Sequence, residues 1–374
     1  MKILHINGNY LTTALHQTMV EHMDDMGVHS TVIAPTYNAD RCVIKPNENV
    51  IPAQCFQKND RFLFGLKQKK IIRFIKEKVQ VQEFDLIHAY TLFTDGNSAY
   101  ELSKEYNIPY VVAVRNTDVN HFFRMRFFLR KRGIQILEDA AAVFFLSQTY
   151  RDTVFEQYIP KAKRSRIWDK SYVIPNGIDD FWLKNRYVTR DLGQAEERML
   201  HKVLNVVCVA QITPNKNIPM LQEALKLLRQ DGWDAHLTVV GKTVDALELK
   251  CILQDSCTRY MEPVPKEQLI NLYREADIFA LASHHETFGL VYAEAMSQGL
   301  PVLYTAGQGF DGHFAEGEVG YAINDHSAQD IAEKIKLTVV NYRRLAENSL
   351  KWSQKFCWSK ICQKYAEIYA QKEM

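Results

Sequence analysis

Short apolar runs alternate with amphipathic stretches along most of the chain. The run Lys2–Ile6 leads into a turn at residues 7–9, and a helical pattern then ends at Gly27, before another apolar run at 30–34. A strand, a helix and a second strand in this order are typical of the βαβ unit, which builds a parallel sheet. Further strands of the first half are predicted at 85–88, 110–114 and 142–146.

A break in this pattern predicts a domain boundary. Residues 173–179 read Val-Ile-Pro-Asn-Gly-Ile-Asp, and a polar, charged segment follows to about residue 202. The alternation then restarts, with strands predicted at 205–209, 236–240, 278–282 and 301–304 and helices at 218–230, 266–275, 290–298 and, from its apolar spacing, 352–370. We therefore predict two α/β domains rather than one closed barrel. Their boundaries are predicted at 1–176 and 203–352, with a linker region at 177–202 and a C-terminal helical segment at 353–374.

The composition is that of a globular protein. The 374 residues are 47% apolar and 24% charged, and 46 basic residues nearly balance 44 acidic ones, which does not favour a nucleic-acid-binding protein. The start of the chain is not typical of a signal peptide, and no apolar run approaches the roughly 18 residues of a membrane span. Seven irregularly spaced cysteines are typical of reduced thiols, which favours a cytoplasmic location. They are Cys42, Cys55, Cys208, Cys251, Cys257, Cys357 and Cys362.

Positive charge is concentrated in two stretches of the first half. Residues 58–78 hold eight Lys or Arg and two acidic residues, and residues 121–132 hold five Lys or Arg among four phenylalanines. Basic amphipathic segments with aromatic residues are typical of peripheral contact with an anionic membrane, here the inner face of the plasma membrane. A helix with a core-facing apolar stripe and a solvated basic face explains the pattern equally well.

The segment 278–305 carries the most chemistry. Its apolar strand runs into the loop Ser-His-His-Glu-Thr-Phe-Gly at 283–289, and a helix is predicted from Leu290. In an open parallel sheet such a loop and the following helix N-terminus bind ligands, and the N–H groups of 288–291 suit a phosphate. Glu286 precedes the helix and Glu294 lies in its first turns, so the two do not share a helical face: one can reach past the phosphate site, and the other is a candidate to accept hydrogen bonds from sugar hydroxyls. Helix capping alone would explain the pair. His284 and His285 lack a His-Glu-x-x-His pattern, and no metal site is expected.

Residues 286–302 read Glu-Thr-Phe-Gly-Leu-Val-Tyr-Ala-Glu-Ala-Met-Ser-Gln-Gly-Leu-Pro-Val. This longer string resembles the signature of the retaining nucleotide-sugar glycosyltransferases of family 4. Residues 173–179 resemble that family's interdomain stretch, and 206–221 its diphosphate-binding segment. The resemblance implies the GT-B fold, an α/β architecture of two Rossmann-like, doubly wound parallel-sheet domains facing a cleft. It also implies that the C-terminal helix crosses back to the first domain.

The same resemblance implies roles for individual residues. Glu294 would hold the ribose hydroxyls of the nucleotide, Glu286 the hydroxyls of the donor sugar, and Lys216 the leaving diphosphate. A cation is needed there because no Asp-x-Asp motif implies a divalent metal. The other donor-binding positions implied are Gly8, Phe288, Gly289, Leu290 and Val291 near the sugar and diphosphate, and Pro263 and Val264 near the base.

Two positions depart from the family pattern. Gln211 stands where an arginine accompanies Lys216, and Arg115 stands where the first domain has a histidine. Glutamine hydrogen-bonds to phosphate but carries no charge, and Arg115 would supply the missing charge across the cleft. The acceptor side is expected near Asn116, Asp118 and His121.

The sequence therefore predicts a retaining, metal-independent hexosyltransferase with catalytic roles for Glu286, Lys216 and Arg115. It would move a hexose or N-acetylhexosamine from a nucleotide-diphosphate sugar, with UDP favoured over GDP, to a carbohydrate or lipid-linked acceptor in polysaccharide or glycolipid synthesis. No cofactor and no nucleic-acid partner are expected. The alternatives are a nucleotide-sugar 2-epimerase-like enzyme and a non-catalytic nucleotide-sugar-binding subunit, which Gln211 and Arg115 favour.

Overall fold

The computed structural model describes residues 1–38 and 45–371. Within these residues the chain folds into two compact units. The first is Met1–Gly177 together with the C-terminal segment from Trp358, and the second is Ile178–Cys357. Cys42, one of the predicted thiols, and residues 372–374, the end of the predicted C-terminal segment, lie outside the described residues. In the part of the chain that the structure describes, the six other cysteines form no disulfide.

A parallel sheet forms the centre of the first unit. Its strands, as far as the described ranges show, are β1 (Lys2–Ile6), β2 (His29–Thr36), β3 (Val50–Gln54), β4 (Leu86–Ala89), β5 (Tyr110–Val114), β6 (Ala142–Phe145) and β7 (Ser171–Val173), in the order β3-β2-β1-β4-β5-β6-β7. The helices are α1 (Ala14–Asp25), α2 (Phe64–Lys78), α3 (Thr94–Tyr106), α4 (Arg130–Asp139), α5 (Gln148–Gln157) and α6 (Lys161–Trp168). Ile3 packs into one core, and Leu4 and Ile6 into another, because successive side chains of a strand point to opposite faces.

The second unit repeats this architecture. Its described strands are β8 (Val203–Val209), β9 (Asp234–Val240), β10 (Thr258–Met261), β11 (Ile278–Leu281), β12 (Val302–Thr305) and β13 (Gly320–Ile323), in the order β10-β9-β8-β11-β12-β13. The helices are α7 (Asp180–Lys184), α8 (Leu192–Leu200), α9 (Ile218–Gln230), α10 (Ala246–Ile252), α11 (Lys266–Glu275), α12 (Leu290–Ser297), α13 (Ala328–Val340) and α14 (Tyr342–Trp352). Helices α7 and α8 lie in the range 177–202 that the sequence suggests as a linker.

The order of the strands reverses once in each sheet. In the first unit β1 pairs with β2 on one side and with β4 on the other, and in the second unit β8 pairs with β9 and with β11. The loops that follow two such neighbouring strands leave the sheet in opposite directions, so a crevice opens between them, and this is where open α/β sheets bind ligands. Each unit therefore has one favoured binding edge.

The strands β3, β7, β10 and β13 are not predicted by the apolar pattern of the sequence. All four are the outermost strands of their sheets. An edge strand pairs on one side only, and β3, β7 and β10 are partly exposed, so these three need no continuous apolar run. Strand β3 contains Pro52, a residue that sheets tolerate at an edge.

The C-terminal helix α15 (Trp358–Ala370) belongs to the first unit. The sequence predicts one helix over 352–370, but the structure interrupts it at the short 3-10 turn Ser353–Phe356. The interruption arises because Ile178 donates its backbone N–H to the carbonyl of Phe356, and Ile178 pairs with an extended Cys357. In the described part of the chain, no helix has both the length and the apolarity needed to cross a bilayer.

Helix α15 covers a group of buried histidines. The hydroxyl of Tyr369 lies 2.7 Å from Nδ1 of His88, and the ring of His88 stacks on that of Tyr90. Burial lowers the pKa of His5 to about 3 and holds the pKa of His16 and of His88 well below the ordinary value. These imidazoles are therefore neutral at physiological pH and act as core residues.

We expect Tyr365→Ala to destabilise the first unit. Tyr365 is buried edge-on against Phe144, with ring centroids 4.7 Å apart, so its removal leaves a cavity between α15 and the sheet. The expected loss is about 3–5 kcal/mol of unfolding free energy, measured by urea denaturation. The neighbouring exposed residue provides the control: Lys364→Ala should change stability by less than about 0.5 kcal/mol. Equal effects of the two changes would show that α15 does not cover this core.

Candidate active site

An ion pair lies at the binding edge of the second unit. Lys216 ends a 3-10 turn after β8, and Glu286 lies in the loop after β11. Because β8 and β11 are neighbours at the reversal of strand order, Nζ of Lys216 and Oε2 of Glu286 meet at 2.7 Å. Their side chains are only 21% and 12% exposed, so water screens the pair less than it would screen a surface pair.

Asn215 forms hydrogen bonds between the loop after β8 and the loop after β11. Its backbone carbonyl accepts a hydrogen bond from the N–H of His284 at 2.9 Å. Its side-chain amide donates to the carbonyl of His285 at 2.9 Å and accepts from the N–H of His285 at 3.1 Å. These three bonds flank Lys216 on one loop and Glu286 on the other, so they set the distance between the charged groups.

A second contact holds the backbone of Glu286 from the opposite side. Gln308 accepts a hydrogen bond from the N–H of Glu286 at 3.0 Å, and Gly309 donates its N–H to the carbonyl of Glu286 at 3.1 Å. A Cβ atom at position 309 would lie 1.9 Å from the carbonyl oxygen of Thr287. Only glycine therefore permits this close approach of the two loops.

The start of helix α12 forms a backbone site beside Glu286. Gly289 precedes the helix with a φ of 73°, a left-handed conformation that favours glycine, and Phe288 is buried against Phe310 and His313. The first N–H groups of a helix, here from Leu290 and Val291, have no acceptor within the helix and lie at the positive end of its dipole. This arrangement suits an anionic group such as a phosphate.

Glu294 lies further along α12 in a dry environment. Its Oε2 accepts a hydrogen bond from the hydroxyl of Tyr273 at 3.3 Å. Burial, with a smaller contribution from the charge of Asp179, raises the pKa of Glu294 to about 7. The carboxyl can therefore accept hydrogen bonds from a ligand and titrates near neutral pH.

The remaining predicted donor-binding residues of this unit lie in loops at the same edge. Gln211 follows β8 and is exposed, and Pro263 and Val264 follow β10. Gly241, after β9, is required by packing because a Cβ atom there would lie 1.8 Å from the carbonyl oxygen of Ala210. The parallel direction of the strands brings all these loops to one side of the sheet.

A cluster with metal-ligand chemistry, His284, Asp325 and His326, borders this edge. Nδ1 of His284 lies 2.6 Å from Oδ2 of Asp325, a hydrogen-bonded ion-pair distance, and the two imidazoles are stacked. Asn217 donates its side-chain amide to the backbone carbonyl of Asp325 at 2.7 Å. Within the structure, the cluster ties the loop that carries Glu286 to the loop after β13.

The binding edge of the first unit contains a buried carboxylate. Asp95, at the start of α3, accepts hydrogen bonds from the N–H of Gly8 at 3.3 Å and from the hydroxyl of Thr91 at 2.9 Å. Burial raises the pKa of Asp95 to about 7. A cavity of about 330 Å³ opens here, and Lys67 and Phe122 also line it. Gly8 thus lies at a cavity of the first unit that has a mostly apolar lining with a few polar groups.

Arg115 directly follows β5, and Asp118 begins the short π-helix Asp118–Phe123. Asp118 is buried and accepts hydrogen bonds from three backbone N–H groups, those of Leu92, Phe93 and Arg115. The guanidinium of Arg115 donates to the carbonyl of Tyr90 at 3.1 Å and to Oδ1 of Asn176 at 3.3 Å. Both side chains therefore organise loops of the first unit, although Asp118 also lines the cavity.

The other two residues of the predicted acceptor side lie close by. Asn116 donates to the hydroxyl of Tyr150 at 3.0 Å, and the half-buried His121 packs edge-on against Phe122. Asn215, Gln308, Tyr273 and Asp95 were missed by the sequence reasoning. Asn215 adjoins Lys216 and could have been suspected on that ground, whereas the others act through contacts distant in sequence.

Comparison with known proteins identifies the class. The profile described as "Glycosyltransferase Family 4" matches residues 17–180, and the profile described as "Glycosyl transferases group 1" matches residues 194–352. The chain belongs to the family 4 glycosyltransferases, as its sequence motifs predict. The two parallel-sheet units confirm the GT-B fold.

Similar proteins include several transferases. The D-inositol 3-phosphate glycosyltransferase of Corynebacterium aurimucosum is 34% identical over 115 residues, which are 30% of this chain and 27% of that protein. The chain thus spans well under half the length of this relative. The alpha-monoglucosyldiacylglycerol synthase of Acholeplasma laidlawii is 23% identical over 327 residues, 81% of this chain and 79% of that protein.

Solved structures show the same fold at low identity. Sucrose-phosphate synthase from Thermosynechococcus elongatus superimposes with a TM-score of 0.76 at 18% identity, covering 99% of this chain and 98% of the other. HepE from Anabaena in complex with UDP-glucose gives 0.68 at 18% identity, covering 99% of this chain and 100% of the other. These superpositions show that the chain shares its fold with both proteins.

We expect Asn215→Ala to lower kcat about ten- to hundredfold while leaving the melting temperature nearly unchanged, because it frees Lys216 and Glu286 from their relative positions. Asn215→Asp keeps the acceptor for the N–H of His285 and should give an intermediate rate. Initial rates with the nucleotide sugar identified by thermal-shift screening measure this effect. Gln254→Ala, an exposed change in the same unit, is the control, and a rate loss no greater than that of the control contradicts the positioning role.

We expect Glu294→Gln to raise the melting temperature by about 3 °C or more at about pH 8 and by little at about pH 5. The folded-state pKa of about 7 lies above the ordinary value, so the stability of the neutral carboxyl is complete at acidic pH. This contribution to stability is lost as the pH rises from the ordinary carboxyl range through about 7, because Glu294 then ionises in the folded protein. The glutamine of the variant stays neutral throughout. Glu267→Gln, an exposed carboxyl on α11, should show no such pH dependence, and an identical profile for both variants contradicts the raised pKa.

Proposed function

We propose that this protein transfers a hexose or N-acetylhexosamine from a UDP-sugar to an acceptor hydroxyl with retention of anomeric configuration. The observation that carries the proposal is the Lys216–Glu286 pair beside the N-terminus of α12. A cation, a carboxylate and free backbone N–H groups at one edge match the needs of a diphosphate that is joined to a sugar.

Lys216 is the proposed stabiliser of the leaving group. Before substrate binds, Glu286 neutralises its ammonium group at 2.7 Å. A bound diphosphate would replace Glu286 as the partner of the ammonium group. The carboxylate of Glu286 would then accept hydrogen bonds from sugar hydroxyls. Departure of the nucleoside diphosphate leaves negative charge on the β-phosphate, and a preorganised cation lowers the energy of that step.

The nucleotide would be oriented by residues of the same edge. Glu294, at the dry end of the site, is proposed to accept hydrogen bonds from the ribose hydroxyls, with the base near Pro263 and Val264 and the diphosphate near Gln211. UDP is favoured as the nucleotide because the similar structure of HepE was solved with UDP-glucose. We further propose that the positive charge of Lys216 makes a divalent metal unnecessary for transfer.

The acceptor is assigned to the cavity of the first unit. Its lining is mostly apolar, but Asp95 and the hydroxyls of Thr91 and Thr94 lie within it, and these polar groups suit the hydroxyl groups of an acceptor. A protonated Asp95 donates a hydrogen bond and an ionised one accepts two, so the group adapts to either partner. Arg115 organises the surrounding loops, and the proposal therefore gives the main cationic role to Lys216 alone. Such a reaction would serve polysaccharide or glycolipid synthesis.

A non-catalytic nucleotide-sugar-binding protein is the second candidate. The exposed, uncharged Gln211 favours it, since a second cation beside Lys216 would stabilise the leaving group further. Such a protein would bind the UDP-sugar and release no UDP.

The test is a comparison of Lys216→Met, Lys216→Arg and Glu286→Gln. We expect Lys216→Met to lower kcat about a hundredfold or more, because the departing diphosphate loses its cation, and Lys216→Arg to retain part of the rate. UDP release in the presence of acceptor, with and without EDTA, measures both the rate and the metal requirement. Lys250→Met, an exposed lysine of the same unit, is the matched control.

Two outcomes would contradict the proposal. A wild-type protein that binds a UDP-sugar in calorimetry but releases no UDP with any acceptor supports the binding protein instead. Equal rates for Lys216→Met and Lys250→Met would remove Lys216 from the mechanism. Loss of activity in EDTA, restored by Mg²⁺, would overturn metal independence only.

A further inference from the structure

Six of the exposed large apolar side chains of the first unit lie in two short segments. They form two groups in the chain, one at 62–66 and the other at 125–128. Their exposed fractions are 67% for Phe62, 60% for Leu63, 43% for Leu66, 65% for Met125, 72% for Phe127 and 66% for Phe128. We call these six residues the apolar tip. Single exposed apolar residues are ordinary, but a group of this size marks an interaction surface.

The two groups lie side by side in the fold. The rings of Phe64 and Phe122 pack edge to face with centroids 6.3 Å apart, and both belong to one core cluster. Arg126 lies over the ring of Phe122, and its charge acts on Lys67 of α2. The contact between Phe64 and Phe122 therefore makes the two segments that carry the apolar tip neighbours in the fold.

Basic side chains surround this surface. Lys58, Lys69, Arg124 and Lys131 are exposed and flank the apolar tip along the chain, and residues 121–132 contain no acidic residue. The two acidic residues of 58–78 are already paired within that stretch. Asp60 meets Lys70 at 2.6 Å, and Glu77 meets Arg73 at 3.8 Å. We call Lys58, Lys69, Arg124 and Lys131 the basic rim; both acidic residues of the two segments are paired with other cations.

We propose that the apolar tip and its basic rim dock the protein on an anionic lipid surface. Aromatic and aliphatic side chains that enter the interface, with cations at the level of the lipid phosphates, are the chemistry that such a surface recognises. A second copy of this chain fits poorly, because apposed tips would bring two positive rims together. The exposed apolar residues would then enter the lipid, and the basic side chains would contact its phosphates.

The cavity of the first unit adjoins the apolar tip. Lys67 and Phe122, which line the cavity, belong to the two segments that carry the tip. A polar headgroup bound in this cavity would have its lipid chains close to the docking surface, so the structure favours a lipid-linked acceptor. This last step rests on the proposed function, whereas docking itself does not.

Vesicle co-sedimentation without any donor or acceptor tests the docking. We expect the wild-type protein to bind vesicles of equal parts phosphatidylcholine and phosphatidylglycerol, and to bind phosphatidylcholine alone at least about tenfold more weakly. Phe127→Ser/Phe128→Ser should weaken binding to the anionic vesicles by at least about tenfold, because the apolar contact is lost. Arg124→Gln/Lys131→Gln should weaken it to a similar degree, with little effect on phosphatidylcholine alone.

Matched controls separate docking from folding and from general charge. Leu200→Ser/Val340→Ser removes two equally exposed apolar residues of the second unit, and Lys250→Gln/Lys364→Gln removes two exposed cations outside the tip. Both should bind like the wild type, and all variants should keep their melting temperature. Because no substrate is present, the result is independent of whether sugar transfer occurs.

Three outcomes would overturn the proposal. The first is wild-type binding that does not distinguish anionic from neutral vesicles, or that is absent from both. The second is a Phe127→Ser/Phe128→Ser protein that binds as tightly as the controls. The third is a wild-type dimer in sedimentation velocity that the same double change converts to a monomer, which would make a second copy the partner.

Discussion

The pairing of β8 with β11 is the constraint on which the candidate site depends. Ile278 and Phe279 are in register with Val206 and Val207, in the middle of a sheet covered on both faces. A slip by one residue would turn every side chain to the wrong face, so packing fixes the register. This register aligns the loops that carry Lys216 and Glu286. The same reversal of strand order, between β1 and β4, creates the cavity of the first unit.

Both units keep carboxyl groups in dry surroundings at these edges. Burial raises the pKa of Asp95 and of Glu294 to about 7, and that of Asp118 to about 6. Asp118 is held by three backbone N–H groups and has a structural task, whereas Glu294 has one hydroxyl partner, from Tyr273. A buried carboxyl with few partners costs stability, and such groups cluster at functional sites. At these edges each unit thus keeps buried carboxyl groups that lower its stability, as is typical of a binding site.

The small net charge of the chain conceals an uneven surface. The first 176 residues carry 24 basic and 18 acidic residues, and the stretch 58–78 alone accounts for the excess. In the proposed docking, the cations that contribute most are those that lie near exposed aromatic rings. Donor chemistry in the second unit and surface attachment in the first would then be separate tasks of two similar folds.

The sequence alone determined the α/β class, the central strands and helices such as Ile218–Gln230 and Lys266–Glu275, because these follow from local periodicity. It also supplied the motif that carries Glu286 and Glu294. The tertiary structure decided the edge strands, the interruption before Trp358, the role of Asn215 and the exposure of Phe127 and Phe128. Each of these depends on residues far apart in the chain. A pattern of neighbours along the sequence records which residues prefer burial, but only the packed fold decides which of them are paired, desolvated or left in contact with water.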